Sequence, residues 1–536
     1  MTRDRAPTER LDVQTLRRTL LDPDSWPLPH PPGQPELVET HLSLVGLWGD
    51  RVYKLKKAVD LGFVDFSTLE QRRRACNDEV RLNRRLADEV YDGVILLART
   101  PDGLRLEGRG PLVEWGVRMR RLPDAWRLSE RIAGLRFDDL SRLGRVMARF
   151  HRSAARGPRI AAWASPEAVA ANVRENFAQT RDQVGAVVHP GVWERARLRS
   201  EALLAVHESQ LAARQRKGRP CETHGDLRLE HVYLRLDGEF LVLDALEFSE
   251  RYRHADPVSD VAFLAMELHE AGRGSLASAF VESWIRESND PSAFGLMPFY
   301  MGYRAIVRAK VHGITALDTS RSEVVRADAR ARAQRLWLLA LGFLELPAHR
   351  PIVLCVGGLP GVGKSTLARE LARRLQAQVV RSDVVRKELA GLRAEDSANA
   401  EYGEGIYDAS WDERTYAAVR ERAREVLLRG DRVVIDASFR SAGQRAHCLD
   451  LAREMGVPAW FLHVTAPVEV VERRLRERTG DASDADVEIF HAAREAWDPS
   501  TLAVAARTIS VGSDRAVGAM VADVADLLSM HGLATA

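Results

Sequence analysis

Apolar and polar positions along the chain change their period several times. Residues 1–21 space their apolar side chains as an amphipathic helix does, and six prolines between Pro23 and Pro35 predict a stiff, extended linker. From 36 to 45 the residues alternate with the period of a strand, and a turn at Gly46 and Gly49 leads to a second strand over 52–57. Leu69, Leu82 and Leu86, in a charge-dense run, predict a helix over 66–89. Strand-like stretches return over 94–106, folded back at Pro101-Asp102-Gly103, and over 113–119. After Leu128 the pattern is mostly helical as far as Leu344, interrupted by a strand island over 224–246. Past a boundary at 346–351 strands and helices take turns: strands at 352–357, 378–381, 432–436 and 458–464, helices at 364–376, 413–429 and 442–455. That alternation predicts a parallel sheet covered by helices.

Composition narrows the picture. A chain of 536 residues, 45% hydrophobic and 29% charged, is ordinary folded material with room for two or three packed bodies. The net charge of +2 argues against a nucleic-acid coat, which needs a basic excess. The apolar run 336–344 is too short to span a bilayer, and residues 1–10 lack the apolar core of a secretory signal. The four cysteines, Cys76, Cys221, Cys355 and Cys448, have no paired spacing, so neither a zinc module nor a disulfide framework is expected. These features predict a cytoplasmic protein with no membrane segment. Only seven of the 78 basic residues are lysines: Lys54, Lys56, Lys57, Lys217, Lys310, Lys364 and Lys387. Where a phosphate oxygen needs a compact point charge, an ammonium is not replaced by a planar guanidinium.

Residues 358–365 spell the complete phosphate-binding loop, Gly358-Leu359-Pro360-Gly361-Val362-Gly363-Lys364-Ser365. An apolar strand precedes it and a helix beginning near Thr366 follows, the context that gives the motif its meaning. Gly358, Gly361 and Gly363 let backbone N–H groups converge on phosphate oxygens at a helix N-terminus. Lys364 supplies charge to the β/γ-phosphates, and Ser365 supplies a hydroxyl to Mg²⁺. Asp436, closing the strand Val433-Val434-Ile435, fits a second position near the metal, and Asp383, after the strand that ends at Arg381, could orient or deprotonate an acceptor hydroxyl. Arg474 and Arg478, four apart and followed by the small-residue run 479–484, suit a lid of cations over a transferring phosphoryl group. With Arg381-Ser382-Asp383-Val384-Val385-Arg386-Lys387, Val433 to Phe439 and Ser483-Asp484-Ala485, this half resembles the small P-loop kinases of the gluconate and shikimate kinase type. It also resembles the kinase-like half of bacterial two-domain proteins that carry an aminoglycoside-phosphotransferase-like domain beside it.

A second constellation lies upstream. His224-Gly225-Asp226-Leu227-Arg228-Leu229-Glu230-His231 is followed by an apolar run to Leu234, a turn at Asp237-Gly238 and a second apolar run ending in Asp244. Phosphoryl transfer to a hydroxyl needs one Asp to accept the acceptor's proton and a second to hold Mg²⁺. The segment resembles the aminoglycoside phosphotransferase and choline kinase superfamily, whose loop begins His-Gly-Asp and places Asn five residues after the Asp. The resemblance implies Asp226 as the base and Asp244 as a metal ligand. His231 occupies the Asn position, and imidazole suits Mg²⁺ less well than an oxygen ligand. Lys54 and Lys56, two apart on a strand, face one side. The kinase scheme takes one of them to the α/β-phosphates and pairs it with a helix glutamate, here Glu79.

The two resemblances together predict a helix and linker over 1–35, then an α+β, protein-kinase-like bilobal domain over 36–345 with its small lobe at 36–122 and helical lobe at 123–345. An α/β P-loop NTPase domain follows over 350–536, its parallel sheet covered by helices. They imply an ATP- and Mg²⁺-dependent phosphotransferase acting on the alcohol group of a small, anionic or sugar-like acceptor. Two alternatives stand beside it: only the P-loop domain is catalytic and the other is a regulatory pseudokinase, or both domains form a non-enzymatic, ATP-gated binding module. Arg304, Arg308 and Lys310 lie in an otherwise apolar helix and need anions. Internal carboxylates such as Asp256, Asp260 and Glu267 could serve, or a phosphate or carboxylate of the acceptor held beside Asp226. The sequence leaves the acceptor and the oligomeric state open.

Overall fold

The computed structural model describes residues 11–60, 64–393, 409–477 and 487–533. The chain packs into two compact units, one formed by the residues up to Val169 with His207–Tyr300, the other by Ala170–Val206 with Met301 onward. The second unit thus takes in two helical segments that precede the proline-flanked break at 346–351.

A six-stranded antiparallel sheet opens the first unit, in the order Glu36–Glu39, Ser43–Trp48, Arg51–Lys56, Leu112–Arg120, Tyr91–Thr100, Gly103–Leu106. The alternating run over 36–45 is not one strand. The Thr40 hydroxyl accepts from the amide of Ser43 at 2.9 Å and turns the chain there. Helix Leu69–Ala87 starts in a capping box made by Thr68 and Gln71 and packs Cys76, Val80 and Ala87 against Tyr91 and Val117. Residues 23–35 are likewise not a free linker. Trp26 is buried with Leu16, Leu20, Trp48 and Tyr53 in the core of the sheet's neighbouring layer, and its indole N–H donates to the carbonyl of Leu20 at 3.0 Å. Prolines stiffen this segment, but one large apolar side chain pins it. Gly46 fits the same packing: a Cβ there would stand 2.9 Å from Leu20 Cδ2 and 3.0 Å from Trp26 Cζ2. The expected helix at the N-terminus runs over Val13–Leu21, with residues 1–10 outside the described part.

The helical part of this unit centres on Pro257–Glu270, buried from Pro257 to Leu268, with Phe137–Ser153 and Gly274–Ser288 beside one another. The strand island resolves into a hairpin, Val232–Leu234 with Phe240–Val242, and a short antiparallel ladder pairs Cys221–Glu222 with His254–Ala255.

The second unit carries a five-stranded, fully parallel sheet in the order Gln378–Arg381, Val433–Asp436, Val353–Gly357, Ala459–Thr465, Thr508–Gly512. Four of these strands agree with the predicted ones to within one or two residues; the fifth, and helix Val517–Met530 after it, are additional. Helix Lys364–Leu375 lays Leu367, Ala368, Leu371 and Leu375 on the central strand's Leu354 and Val356. The scattered cysteines predict no disulfide, yet Cys355 on the central strand and Cys448 on helix Ala442–Met455 are joined as one, with Cα atoms 7.0 Å apart. A separation of 93 residues conceals the pair in the sequence, and the fold closes it. Among the described residues no helix is long and apolar enough to cross a membrane.

Candidate active sites

In the first unit Lys54 and Lys56 share one face, as their two-residue spacing predicts, and both reach one buried carboxylate. Lys54 Nζ lies 2.8 Å from Glu79 and 2.8 Å from Asp244; Lys56 Nζ lies 2.6 Å from Glu79 and also pairs with Glu247. Glu79 has no exposed surface, and although burial favours its neutral form, the two ammonium groups hold its carboxyl below the ordinary range. Asp244 has the left-handed backbone, φ +64°, that non-glycine residues rarely adopt. Asn83 Oδ1 accepts from the next amide, Ala245 N, at 2.8 Å, so helix Leu69–Ala87 positions both Glu79 and the Asp244 turn.

The loop around Asp226 is held by carboxylates behind it. Asp260 accepts from the amides of His224 at 2.6 Å and Gly225 at 2.8 Å. Trp284 can only donate, and its N–H reaches His151 Nδ1 at 3.0 Å, so His151 Nε2 carries the proton directed at Asp260, 3.2 Å away. Glu267 accepts from the amide of Leu229 at 2.7 Å and from Arg228 Nε at 2.8 Å. Asp256 caps helix Pro257–Glu270 and pairs with Arg214. His224 is buried, and burial pushes its pKa down to about 4, so the ring is neutral near pH 7. His231 Nδ1 sits 2.8 Å from the Asp226 carbonyl, with Nε2 3.6 Å from Asp244 Oδ2 and 3.5 Å from Glu230 Oε1.

In the second unit the phosphate loop lines a cavity of about 420 Å³ with Lys364, Ser365, Thr366, Asp383, Asp436 and Arg474. Gly363, at φ +93°, turns the chain into the helix that begins at Lys364. Lys364 Nζ donates to the carbonyl of Leu359, 2.8 Å away within its own loop. Asp436 closes its strand 3.3 Å from Arg381 Nε. Asp383 stands in the first turn of helix Ser382–Leu389, and burial, with the charge of Asp436 added, raises its pKa. Arg474 donates to Ser513 O at 2.6 Å and Ser513 Oγ at 3.1 Å, and that hydroxyl donates to Val362 O at 2.5 Å, tying the arginine to the loop. Arg478 and the run 479–484 lie outside the described residues.

A second cavity, about 1100 Å³, has Phe439 in its wall with Asp412, Tyr416 and Arg440, three residues that sequence reasoning did not single out. The Tyr416 hydroxyl is 3.3 Å from Ser438 Oγ, and Ser438 lines the phosphate-loop cavity. Asp412 pairs with Arg386 at 2.5 Å and with Arg440 at 3.5 Å. The other predicted cations, Arg304, Arg308 and Lys310, lie on helix Ala293–Leu317. Lys310 Nζ donates to Asn176 Oδ1 at 2.7 Å and to Gln179 Oε1 at 2.8 Å.

A protein-kinase-like arrangement around Lys54, Glu79 and Asp244, followed by a phosphate loop on a parallel sheet, defines a two-domain, nucleotide-binding protein of kinase type. The Phosphotransferase enzyme family matches residues 46–295 and an AAA domain matches residues 353–499. Over 466 residues the chain is 36% identical to the uncharacterized protein Rv2004c of Mycobacterium tuberculosis, spanning 86% of this chain and 90% of that one. The chain belongs to the family of bacterial two-domain proteins that join an aminoglycoside-phosphotransferase-like domain to a P-loop kinase domain. It is also 32% identical over 168 residues to a shikimate kinase of Corynebacterium efficiens, covering 26% of this chain and 96% of that enzyme. A solved aminoglycoside 2'-phosphotransferase in complex with GDP aligns over 60% of this chain and 98% of its own, at 15% identity and a TM-score of 0.40.

Proposed function

We propose that both units bind ATP with Mg²⁺ and that each transfers a phosphoryl group to a hydroxyl of a small-molecule acceptor. The observation that carries this for the first unit is Lys54 held 2.8 Å from both Glu79 and Asp244. An ammonium fixed there is ready for the α/β-phosphates, Asp244 is ready for the metal, and Asp226 accepts the acceptor's proton. In the second unit the backbone amides of 358–365 cradle the phosphates, Lys364 and Arg474 supply charge where it builds up, and Ser365 with Asp436 serves the metal. The raised pKa of Asp383 suits a group that takes a proton from an acceptor hydroxyl. The cavity walled by Asp412, Tyr416 and Arg440 is the place we assign to that acceptor. The partial likeness to a shikimate kinase supports an anionic hydroxyl compound for this unit. A hydroxyl acceptor for the first unit rests on Asp226 alone.

His231 favours a second reading, in which the first unit binds nucleotide and regulates the P-loop unit without turnover. An acceptor screen with ATP, read by mass spectrometry, separates the two. Two phosphorylated products, one lost with Asp226→Ala and the other with Lys364→Ala, support two kinases. A single product indifferent to Asp226→Ala supports the regulatory reading.

A further inference from the structure

The ring of His231 has a fixed tautomer. The carbonyl of Asp226 can only accept, so Nδ1, 2.8 Å from it, carries the proton. In the neutral ring the lone pair is then on Nε2, and that atom faces two carboxylate oxygens, Glu230 Oε1 at 3.5 Å and Asp244 Oδ2 at 3.6 Å. Glu230 Oε1 already pairs with Arg228, whereas the ring's lone pair and Asp244 Oδ2 converge where a cation would satisfy both. An imidazole whose other N–H is held by a backbone carbonyl is oriented as metal-bound histidines commonly are. The ring is 12% exposed, so its direction is set by the protein around it. The 3.6 Å between Nε2 and Oδ2 is within a few tenths of the roughly 3.0–3.5 Å that separates two atoms ligating one ion at about 2.1 Å.

We propose that His231 Nε2 and Asp244 Oδ2 form a mixed nitrogen–oxygen seat that selects Mn²⁺ over Mg²⁺ as the nucleotide's companion ion. The inference rests on the nucleotide-binding reading of the first unit. Among the described residues no three His, Cys, Asp or Glu side chains gather to hold a metal unaided. The seat is therefore two protein atoms completed by water and phosphate oxygens, the way small divalent ions are held with nucleotides. Mg²⁺ demands hard oxygen donors, whereas Mn²⁺ tolerates a nitrogen among them, so imidazole in the place of an amide oxygen weakens Mg²⁺ more than Mn²⁺. The left-handed backbone at Asp244, held by the bond from Ala245 N to Asn83, keeps the carboxylate aimed at the ring.

Pulsed EPR of the full chain loaded with Mn²⁺ and ADP tests this without reference to turnover. Among the residues lining the phosphate-loop cavity there is no histidine, so an imidazole-nitrogen modulation on Mn²⁺ has its source in the first unit. The expected spectrum carries that modulation in the unmodified chain and in Lys364→Ala, and loses it in both His231→Asn and His231→Gln. Displacing half of the Asp244-dependent Mn²⁺ should need at least about a tenfold excess of Mg²⁺, an excess that His231→Asn reduces. Mn²⁺ bound with ADP in an Asp244-dependent manner but without the nitrogen signal overturns the seat and leaves nucleotide binding standing. A single Mn²⁺·ADP per chain, insensitive to Asp244→Asn, overturns both.

Discussion

The two sites differ in the contacts that their lysines make. Lys54 is clamped by carboxylates from a helix and from the turn after a distant hairpin, Glu79 and Asp244, each 2.8 Å away. Lys364 leans on a carbonyl of its own loop, that of Leu359. In the first unit charge pairs between remote segments set the geometry, so the site is assembled by the tertiary fold. In the second, consecutive backbone amides and a helix start do it, so the phosphate cradle is written into eight consecutive residues, and other segments add Asp383, Asp436 and Arg474. A site of the first kind is exposed to the loss of any one carboxylate; a site of the second kind depends mainly on its loop.

The largest effect that would separate them is on the catalysis proposed for the first unit. Asp226→Ala should lower that reaction roughly 10²–10⁴-fold, the cost of losing a positioned base, while the second unit's product keeps its rate. Steady-state kinetics on each product measures this. Next comes stability. Glu79→Ala leaves two buried ammonium groups short of a shared partner, and breaking such a buried pair costs about 3–5 kcal/mol. Denaturant unfolding should show an early transition that the unmodified chain lacks, and a midpoint within error of the unmodified chain would contradict the clamp.

The first unit should also be the acid-sensitive one. His224 titrates near 6.5 when unfolded and at about 4 when folded, because it is buried. As pH falls below 6.5 the unfolded chain takes up a proton that the folded chain refuses, so stability drops until about pH 4. The ring accounts for roughly 3 kcal/mol of that fall. Unfolding curves from pH 7 to 4 should therefore be flatter for His224→Asn than for the unmodified chain. The last expected change is a loss of at least about 100-fold in the turnover proposed for the second unit in Lys364→Ala, the scale of removing one preorganised charge. It is measured in the full chain, because this unit includes residues 170–206 and 301–349.

The same contrast explains what could be read from the sequence. The phosphate loop was legible because its strand, glycines, lysine and helix are neighbours in the chain. Lys54, Glu79 and Asp244 were legible through the kinase scheme, and the two-residue spacing of Lys54 and Lys56 gave the shared face. Partners that carry no motif were hidden. Asn83 beneath the Asp244 turn, Glu247 on Lys56 and the Trp284–His151 link to Asp260 are ordinary polar residues until the fold brings them together. The proline-rich segment misled for a related reason: composition describes stiffness, whereas the burial of Trp26 depends on a sheet formed later in the chain. Cys355 and Cys448 likewise carry no local sign of each other.

The order in which the chain is made has a consequence for the second unit. Residues 170–206 leave the ribosome long before the strands and helices of 301–536 with which they pack. During synthesis the first unit can close as soon as Tyr300 is out, since all its residues are then available. The segment 170–206 must wait, bridged by the 207–300 stretch of a body that is already folding. Val187, buried in one apolar cluster with Ala316, Ala329 and Ala333, then stays wet until those residues arrive. This makes the newborn chain, more than the finished protein, the state most exposed to chaperones and to aggregation.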